Sequence, residues 1–334
     1  MPSRRPALLG FLLTGSLLAG TALAAKTLKQ DGDLEAGRRA YEASEYAKAV
    51  ESLQAAAAKD PKNEEAHILL VKSYLELQEH DAAIRNAEKA VGIDPQNSRY
   101  HEWLGRAYGE KADHAGWFSA ISLAKKTRKE FATAVELDGR NFSARQALIE
   151  FDCSAPGIVG GGEDKAQPQI KELAVMDAAE GYYAAGNCRR QKKDFAEADT
   201  EFTKALDSHP QSAELIYDIG DYAVRRGQPE RLRAVAEAGA RAAPADLRAK
   251  FFRGVGLILS KENAETAEQL LQEYAKKAPK RNGYPSPAMA HVWLGRLYEN
   301  ENKNAEAAKE FETALRLDPK NRLAQEAMKK IKKS

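Results

Sequence analysis

Histidine and cysteine are the side chains of this sequence best suited to metal or nucleophilic chemistry, and both are sparse. The 334 residues include six histidines and two cysteines. His114 has no second histidine or cysteine near it in the sequence, and no HExxH, GxSxG, GxGxxG or CxxC motif occurs. A metal site needs several such ligands around one ion. The sequence therefore predicts no catalytic residues, no metal and no cofactor.

The three consecutive glycines 160–162 are a second feature that could form a binding site, because glycine-rich loops can hold phosphate at the start of a helix. No predicted strand leads into them, however, and the carboxylates of Glu163 and Asp164 would repel an anion. The pattern favours a turn over a phosphate site.

Carboxylates are the third feature, since a hydrolase that cleaves an envelope polymer would need two of them close together in a cleft. The 49 acidic residues are spread over all the predicted helices, and no pair stands out. This alternative stays open, but the chain has no residues left over for a separate catalytic domain.

The N-terminus has the pattern of a secretory signal peptide. Arg4 and Arg5 precede an apolar run over residues 8–19, and Ala22-Leu23-Ala24 supplies the small residues of a cleavage site. We expect cleavage after Ala24 and a periplasmic or secreted protein, with a Gram-negative bacterium as the expected source. The alternative, an uncleaved anchor, is disfavoured because the run is shorter than the ~20 residues of a spanning helix.

The charge of the mature chain argues against nucleic acid as a partner. Residues 1–24 contain two arginines and no acidic residue, so 49 basic and 49 acidic side chains remain after cleavage. Nucleic-acid binding normally requires a basic face. No later segment is long and apolar enough to span a membrane, so no integral membrane segment is expected after cleavage.

Prolines mark an internal repeat along the rest of the chain. Pro61 and Pro95 are 34 residues apart, as are Pro210 and Pro244. Small, aromatic and alanine residues recur between them at fixed spacing. The last copy shows the pattern most fully: Leu294, Gly295, Tyr298, Ala307, Phe311, Ala314 and Pro319. This pattern resembles the tetratricopeptide repeat, a pair of packed helices with a leucine–glycine pair, aromatic and alanine positions and a closing proline.

The resemblance implies an all-α, right-handed superhelical solenoid of about eight helix pairs in a single domain, residues 25–334. The units are predicted at residues 30–63, 64–97, 98–141, 142–178, 179–212, 213–246, 247–281 and 288–321, with a capping helix at 322–334. His67, His101 and His291 share the fourth position of their units, where an aromatic is usual, so we interpret them as packing residues.

Two neighbouring units carry insertions between their helices. The third unit has ten extra residues around Trp117 and Phe118, and the fourth has about five around Ile158 and Val159. Equivalent insertions in adjacent repeats emerge on the same edge of a solenoid, so these four side chains form a candidate partner-binding surface. The alternative is that the insertions pack on each other and fill a gap. The Ala155–Gly162 loop also resembles a family of secreted bacterial repeat proteins, a resemblance that implies no particular activity.

The resemblance also implies which positions of each unit face the concave groove. At two of these positions the same type of side chain recurs in successive units, and we call each such row a ladder. The ninth position carries bases in the first three units, namely Arg38, Lys72 and Arg106, which are suited to carboxylates of an acidic peptide. The alternative favoured by the sequence is neutralisation within each helix by the acids four residues later, namely Glu42, Glu76 and Glu110. The fifth position carries aromatics that either hold a peptide or pack between repeats, namely Tyr183, Tyr217 and Phe251.

The two cysteines are candidates for a disulfide. Cys153 and Cys188 fall near the C-terminal ends of neighbouring first helices, and an oxidising compartment would favour their pairing. The alternative is that both are small core residues.

The sequence thus predicts a non-catalytic scaffold or adaptor that binds a protein or peptide in the bacterial periplasm. A second hypothesis is an assembly chaperone that receives unfolded clients on the aromatic ladder. The third is the envelope-polymer hydrolase.

Overall fold

The computed structural model describes residues 32–279 and 283–331, so the predicted signal peptide 1–24 lies outside the described residues. The described residues form seventeen α-helices and no strands. The helices are α1 (residues 32–42), α2 (Tyr46–Lys59), α3 (Glu64–Glu76), α4 (His80–Ile93), α5 (Ser98–Asp113), α6 (Trp117–Leu137), α7 (Phe142–Ser154), α8 (Glu163–Met176), α9 (Ala178–Gln191), α10 (Phe195–Asp207), α11 (Ala213–Arg226), α12 (Pro229–Ala242), α13 (Arg248–Ser260), α14 (Ala264–Lys277), α15 (Pro287–Asn300), α16 (Asn304–Leu317) and α17 (Arg322–Ile331).

The prediction of an all-α solenoid is confirmed, because the described helices contact mainly helices that are adjacent or next-but-one in the chain. The helix count is consistent with eight pairs and a cap, whereas the handedness of the superhelix and the unit bounds stay predictions. None of the described helices is both long and apolar enough to cross a bilayer.

Local sequence signals account for the helix boundaries. The side chains of Asn63, Asn97 and Asn141 accept hydrogen bonds from backbone N–H groups in the first turns of α3, α5 and α7. Helices α2 and α4 end two residues before Pro61 and Pro95, where a proline would remove a backbone donor. In these units the first helix of each pair begins at an asparagine cap, and the second helices α2 and α4 end just before a proline.

The first and second helices of a pair meet where a glycine faces a phenylalanine. A Cβ built on Gly295 would lie 2.5 Å from the nearest ring carbon of Phe311, and one on Gly186 would lie 2.6 Å from Phe202. Phe311 and Phe202 are fully buried. These phenylalanines therefore fill the space between the two helices of their own pair.

Replacing Gly295 by leucine should therefore destabilise the solenoid. Its Cβ alone would be too close to three ring carbons of Phe311, so overpacking is expected to cost ~1–3 kcal/mol. The loss of stability is measured as a lower melting temperature in thermal unfolding followed by circular dichroism. Gly92→Leu on α4 is the matched control, because a Cβ there meets no atom within 4 Å. Equal melting temperatures for the two variants would contradict the packing described.

Candidate functional site

The ten extra residues of the third unit lengthen its two helices and do not form a long loop. Helix α6 has 21 residues, whereas α10 in the fifth unit has 13. Phe131 is the fifteenth residue of α6 but its counterpart Phe202 is the eighth of α10, so α6 gains seven residues at its N-terminal end. Trp117 and Phe118 therefore stand on the first turn of a helix, which corrects the expectation that they lie on a loop.

The insertion of the fourth unit forms a 3-10 turn, Gly157–Val159, followed by a tight reversal into α8. The backbone N–H of Gly162 donates to the carbonyl oxygen of Asp152 at 2.8 Å. A Cβ on Gly161 would lie 2.0 Å from the carbonyl oxygen of Ala155, and Gly160 has a φ of +98°. The glycines are needed for this close backbone contact, in agreement with the interpretation of the segment as a turn.

A buried ion pair joins α6 to the end of α7, next to the glycine turn. The Arg128 guanidinium of α6 donates to both carboxylate oxygens of Asp152 on α7, at 2.7 and 3.1 Å. The Asp152 side chain is completely inaccessible to solvent, while that of Arg128 is 28% exposed. Because Asp152 also accepts from Gly162 through its backbone, the pair holds the glycine turn against the lengthened helix.

A groove with a volume of about 640 Å³ is lined by the two lengthened helices, α5 and α6, together with α3, α7 and the turn that follows α7. Its lining is mainly apolar, with Trp103, Ile121 and Phe151 among the larger side chains. It also includes four carboxylates, namely Glu76, Glu110, Asp113 and Glu150. The predicted site residues that line it are Lys72, Arg106, Trp117, Ile158 and Val159. The structure thus brings together two groups that the sequence placed on separate surfaces.

Trp103 is the centre of the polar end of this groove. The Lys72 ammonium lies 4.6 Å from the centroid of the indole ring, and the Arg106 guanidinium lies 5.2 Å from it. Both distances are within the range of a cation–π interaction. Trp103 is a residue that the prediction of the site missed, and its position three residues before Arg106 of the basic ladder is the sequence signal that could have identified it.

Lys72 differs from the other two bases in its charge environment. Arg38 forms ion pairs with Glu35 and Glu65 at 2.9 and 2.7 Å. Arg106 pairs with the buried Glu102 at 3.0 Å. For Lys72, no carboxylate of residues 32–279 or 283–331 lies within ion-pair distance. The expected pairs with Glu42, Glu76 and Glu110 are therefore wrong, and Arg38 does not line the groove.

The Lys72 ammonium carries a positive charge that its surroundings do not favour. Burial, and then the charges of Arg99 and Arg106, lower the pKa of Lys72, while Glu102 and Glu214 act in the opposite direction. Such a site is stabilised by an incoming anion, because the anion offsets the repulsion between the three cations. The polar end of the groove is therefore suited to a carboxylate.

The aromatic ladder of the C-terminal half is not a binding surface. Tyr217 and Phe251 are only 3% and 2% exposed, and Tyr217 stacks on Phe252 with ring centroids 5.6 Å apart. Tyr183 is half-buried, and its hydroxyl donates to Asp218 at 3.0 Å. The expectation of a peptide-holding stripe is corrected, because Tyr217 and Phe251 belong to the core between repeats.

Of the four apolar insertion residues, three are exposed and one is not. Trp117 is 71%, Phe118 87% and Ile158 62% exposed, whereas Val159 is buried at 7%. Trp117 and Ile158 line the groove together, so the two insertions do meet. Val159 is buried, in agreement with the gap-filling alternative, and Phe118 is not part of the groove lining.

The histidines contribute to packing and turns. Nε2 of His67 and of His101 lies within hydrogen-bond distance of the carbonyl oxygens of Pro61 and Pro95, at 2.9 and 3.0 Å. His291 contacts Glu310 at 2.6 Å. His114 stacks on His80 with ring centroids 4.9 Å apart, which corrects the expectation that no second histidine lies near it. Among the described residues, no cluster of three or more potential metal ligands occurs.

The cysteines come together as the repeat positions suggested they could. The Cα atoms of Cys153 on α7 and Cys188 on α9 are 5.4 Å apart, and the structure joins their sulfur atoms in a disulfide. Cys188 is 3% exposed. The bridge lies next to Ser154 and Ala155, which line the groove.

Comparison with known proteins agrees with this architecture. Three family models, each described as a tetratricopeptide repeat, match residues 40–107, 179–212 and 288–321. No curated protein matches the chain.

Solved structures with a similar fold include TTC0263, a thermophilic tetratricopeptide repeat protein of Thermus thermophilus, with 16% identity over 69% of this chain and 99% of that chain and a TM-score of 0.44. Another is Pseudomonas aeruginosa pilF, with 16% identity over 80% and 96% of the two chains and a TM-score of 0.43. A tetratricopeptide repeat protein from Parabacteroides merdae has 11% identity over 90% and 98%, with a TM-score of 0.40. At these identities the likeness concerns the fold alone.

Proposed function

Because this chain is a tetratricopeptide repeat protein, a fold of protein-interaction scaffolds, we propose that it is a non-catalytic scaffold or adaptor of the bacterial periplasm. The periplasmic location rests on the basic, apolar and small-residue segments at residues 4–24. The partner is a protein or peptide, and no cofactor takes part.

The groove of the second to fourth units is the partner site in this proposal. One observation carries it: an ammonium without a carboxylate partner among the described residues lies over an indole ring, at one end of an apolar groove. Such a groove fits a peptide segment that presents an apolar side chain next to an aspartate or glutamate. The apolar side chain would contact Ile121 and Phe151, and its carboxylate would pair with Lys72.

The other two hypotheses lose their support from the structure. The chaperone hypothesis depended on an accessible aromatic ladder, and Tyr217 and Phe251 are buried. The hydrolase hypothesis depended on a close pair of carboxylates in a cleft, and although Glu76, Glu110, Asp113 and Glu150 line the groove, the structure singles out no pair of them.

Replacing Lys72 by methionine should weaken partner binding while leaving the fold intact. The methionine keeps the apolar stem that packs on Trp103 but removes the charge that a partner carboxylate would neutralise. We expect on the order of a tenfold to hundredfold loss of affinity, as for other desolvated charge pairs. The partner is first captured on the purified wild-type chain from an envelope extract and identified, and its affinity is then measured by titration calorimetry.

Lys89→Met serves as the matched control, since Lys89 is an exposed lysine of the same unit on the second helix, α4. Wild-type affinity is expected for this variant. Equal affinity of the Lys72 variant and the control would place the partner elsewhere. A captured segment without acidic residues would contradict the proposed pairing with Lys72.

A further inference from the structure

The lengthened α6 carries an exposed apolar cluster that extends beyond the groove, since Trp117 and Ile158 also line the groove whereas Phe118 does not. Phe118 is 87% exposed and has Trp117, 71% exposed, beside it on the first turn of the helix. Ile158, 62% exposed, reaches α6 from the 3-10 turn of the next unit. Large apolar side chains grouped in this way are seldom left in water. We therefore expect this cluster to be covered by a binding partner.

Lysines continue this cluster along the same face of α6. Lys125 and Lys129 follow Phe118 by seven and eleven residues, which places the three side chains on one helical stripe. Ile158 lies in one surface depression with both lysines, which joins the apolar and basic parts. We call Trp117, Phe118, Ile158, Lys125 and Lys129 the α6 patch.

The α6 patch keeps its positive charge. Both lysines are exposed, and no ion pair to either of them occurs within the part of the chain that the structure describes. The sequence between Asp113 and Glu130 contains no acidic residue. The neighbouring Arg128, in contrast, is neutralised by Asp152. An uncompensated cationic surface next to exposed aromatic rings favours an anionic partner with an apolar interior.

We propose that the α6 patch binds the surface of an anionic phospholipid membrane. Trp117, Phe118 and Ile158 enter the boundary between headgroups and acyl chains, and the two lysines contact the phosphate groups. A lipid surface fits this patch because exposed aromatic rings stand beside lysines that form no ion pair among the described residues, the combination found on helices that lie in a membrane interface. The extra seven residues of α6 correspond to about 10 Å of helix. This length carries Trp117 and Phe118 beyond the N-terminal ends of the shorter second helices.

Vesicle flotation with the purified chain tests this proposal. We expect binding to vesicles of phosphatidylethanolamine and phosphatidylglycerol, weaker binding in 0.5 M salt, and no binding to neutral phosphatidylcholine vesicles. Trp117 should report insertion through a blue shift of its fluorescence, since Trp103 and Trp293 are largely covered by protein. Absence of binding to the anionic vesicles would overturn the proposal, as would equal binding to both vesicle types.

Two double variants separate the contributions of the patch. Lys125→Gln with Lys129→Gln should weaken binding about fivefold per lysine and abolish most of its salt dependence. Trp117→Ser with Phe118→Ser should weaken it by at least tenfold at unchanged helicity. The charge control is Lys309→Gln with Lys320→Gln, two exposed lysines of the last unit, and the apolar control is Val175→Ser, which is 88% exposed.

The outcome also distinguishes the α6 patch from the groove. Phe118→Ser alone serves for this distinction, because Trp117 also lines the groove whereas Phe118 does not. If Phe118→Ser binds vesicles like the wild type but loses the captured protein, the patch belongs to a protein interface and the proposal is wrong. If it loses vesicles and keeps the protein, the membrane surface is supported. Lys72→Met should leave vesicle binding unchanged, because Lys72 lies inside the groove.

Discussion

A chain in which Cys153 and Cys188 are both replaced by serine should lose ~3–4 kcal/mol of unfolding free energy. The disulfide closes a loop with a sequence separation of 35 residues, which contains the glycine turn and all of α8. Without the bridge the unfolded chain gains the freedom that loop closure had removed. The effect should concentrate on the fourth and fifth units, because neighbouring repeats contribute stability largely through their shared interfaces.

Urea unfolding followed by circular dichroism measures this loss, and reduction of the wild type provides the matched comparison. Reduced wild type and the serine variant should have similar midpoints, and reductant should not affect the variant. Thiol titration of the denatured, non-reduced protein should find no free thiol. Two titratable thiols would rule the bridge out in the protein as purified.

Replacing Arg128 by methionine should have a comparable effect, about 3–5 kcal/mol, for an electrostatic reason. The Asp152 carboxylate is inaccessible to solvent and would be left without the guanidinium that offsets its burial. The methionine keeps most of the apolar stem of the arginine. The cost is therefore expected to come from the uncompensated charge and not from a cavity.

The same experiment has an internal control in the double variant Arg128→Met with Asp152→Leu. Removing both charges should recover much of the stability lost in the single variant, since no buried carboxylate remains. Lys125→Met, an exposed lysine three residues before Arg128, should change the stability by no more than about 0.5 kcal/mol. A single variant as stable as this control would show that the Arg128–Asp152 pair does not hold the turn.

The candidate site could be predicted only in part from the sequence. Lys72, Arg106, Trp117 and Ile158 were all identified, but as members of a ladder and of a separate edge. Their meeting in one groove depends on the lengthening of α6. The pattern could not distinguish extra helical turns from an extra loop, because residues 109–118 contain two glycines, yet only residues 114–116 lie between α5 and α6.

The sequence by itself determined the repeated elements, because they rest on contacts between residues close along the chain. Asparagine caps, proline-marked helix ends and the contact between Gly295 and Phe311 each involve residues of one helix pair. The 34-residue pattern is therefore enough to predict them. The same local period brought Cys153 and Cys188 to facing positions on neighbouring first helices.

Only the tertiary structure decided which side chains face the groove and which charges pair. Successive residues turn by about 100° around a helix, so a shift of one position moves a side chain from the groove into the core. Tyr217 and Phe251 are buried for this reason, although their spacing suited a groove. The partners of Arg38 and Arg106 depend likewise on how neighbouring helices pack and on local rotamers, because an ion pair forms where the side chains meet in space.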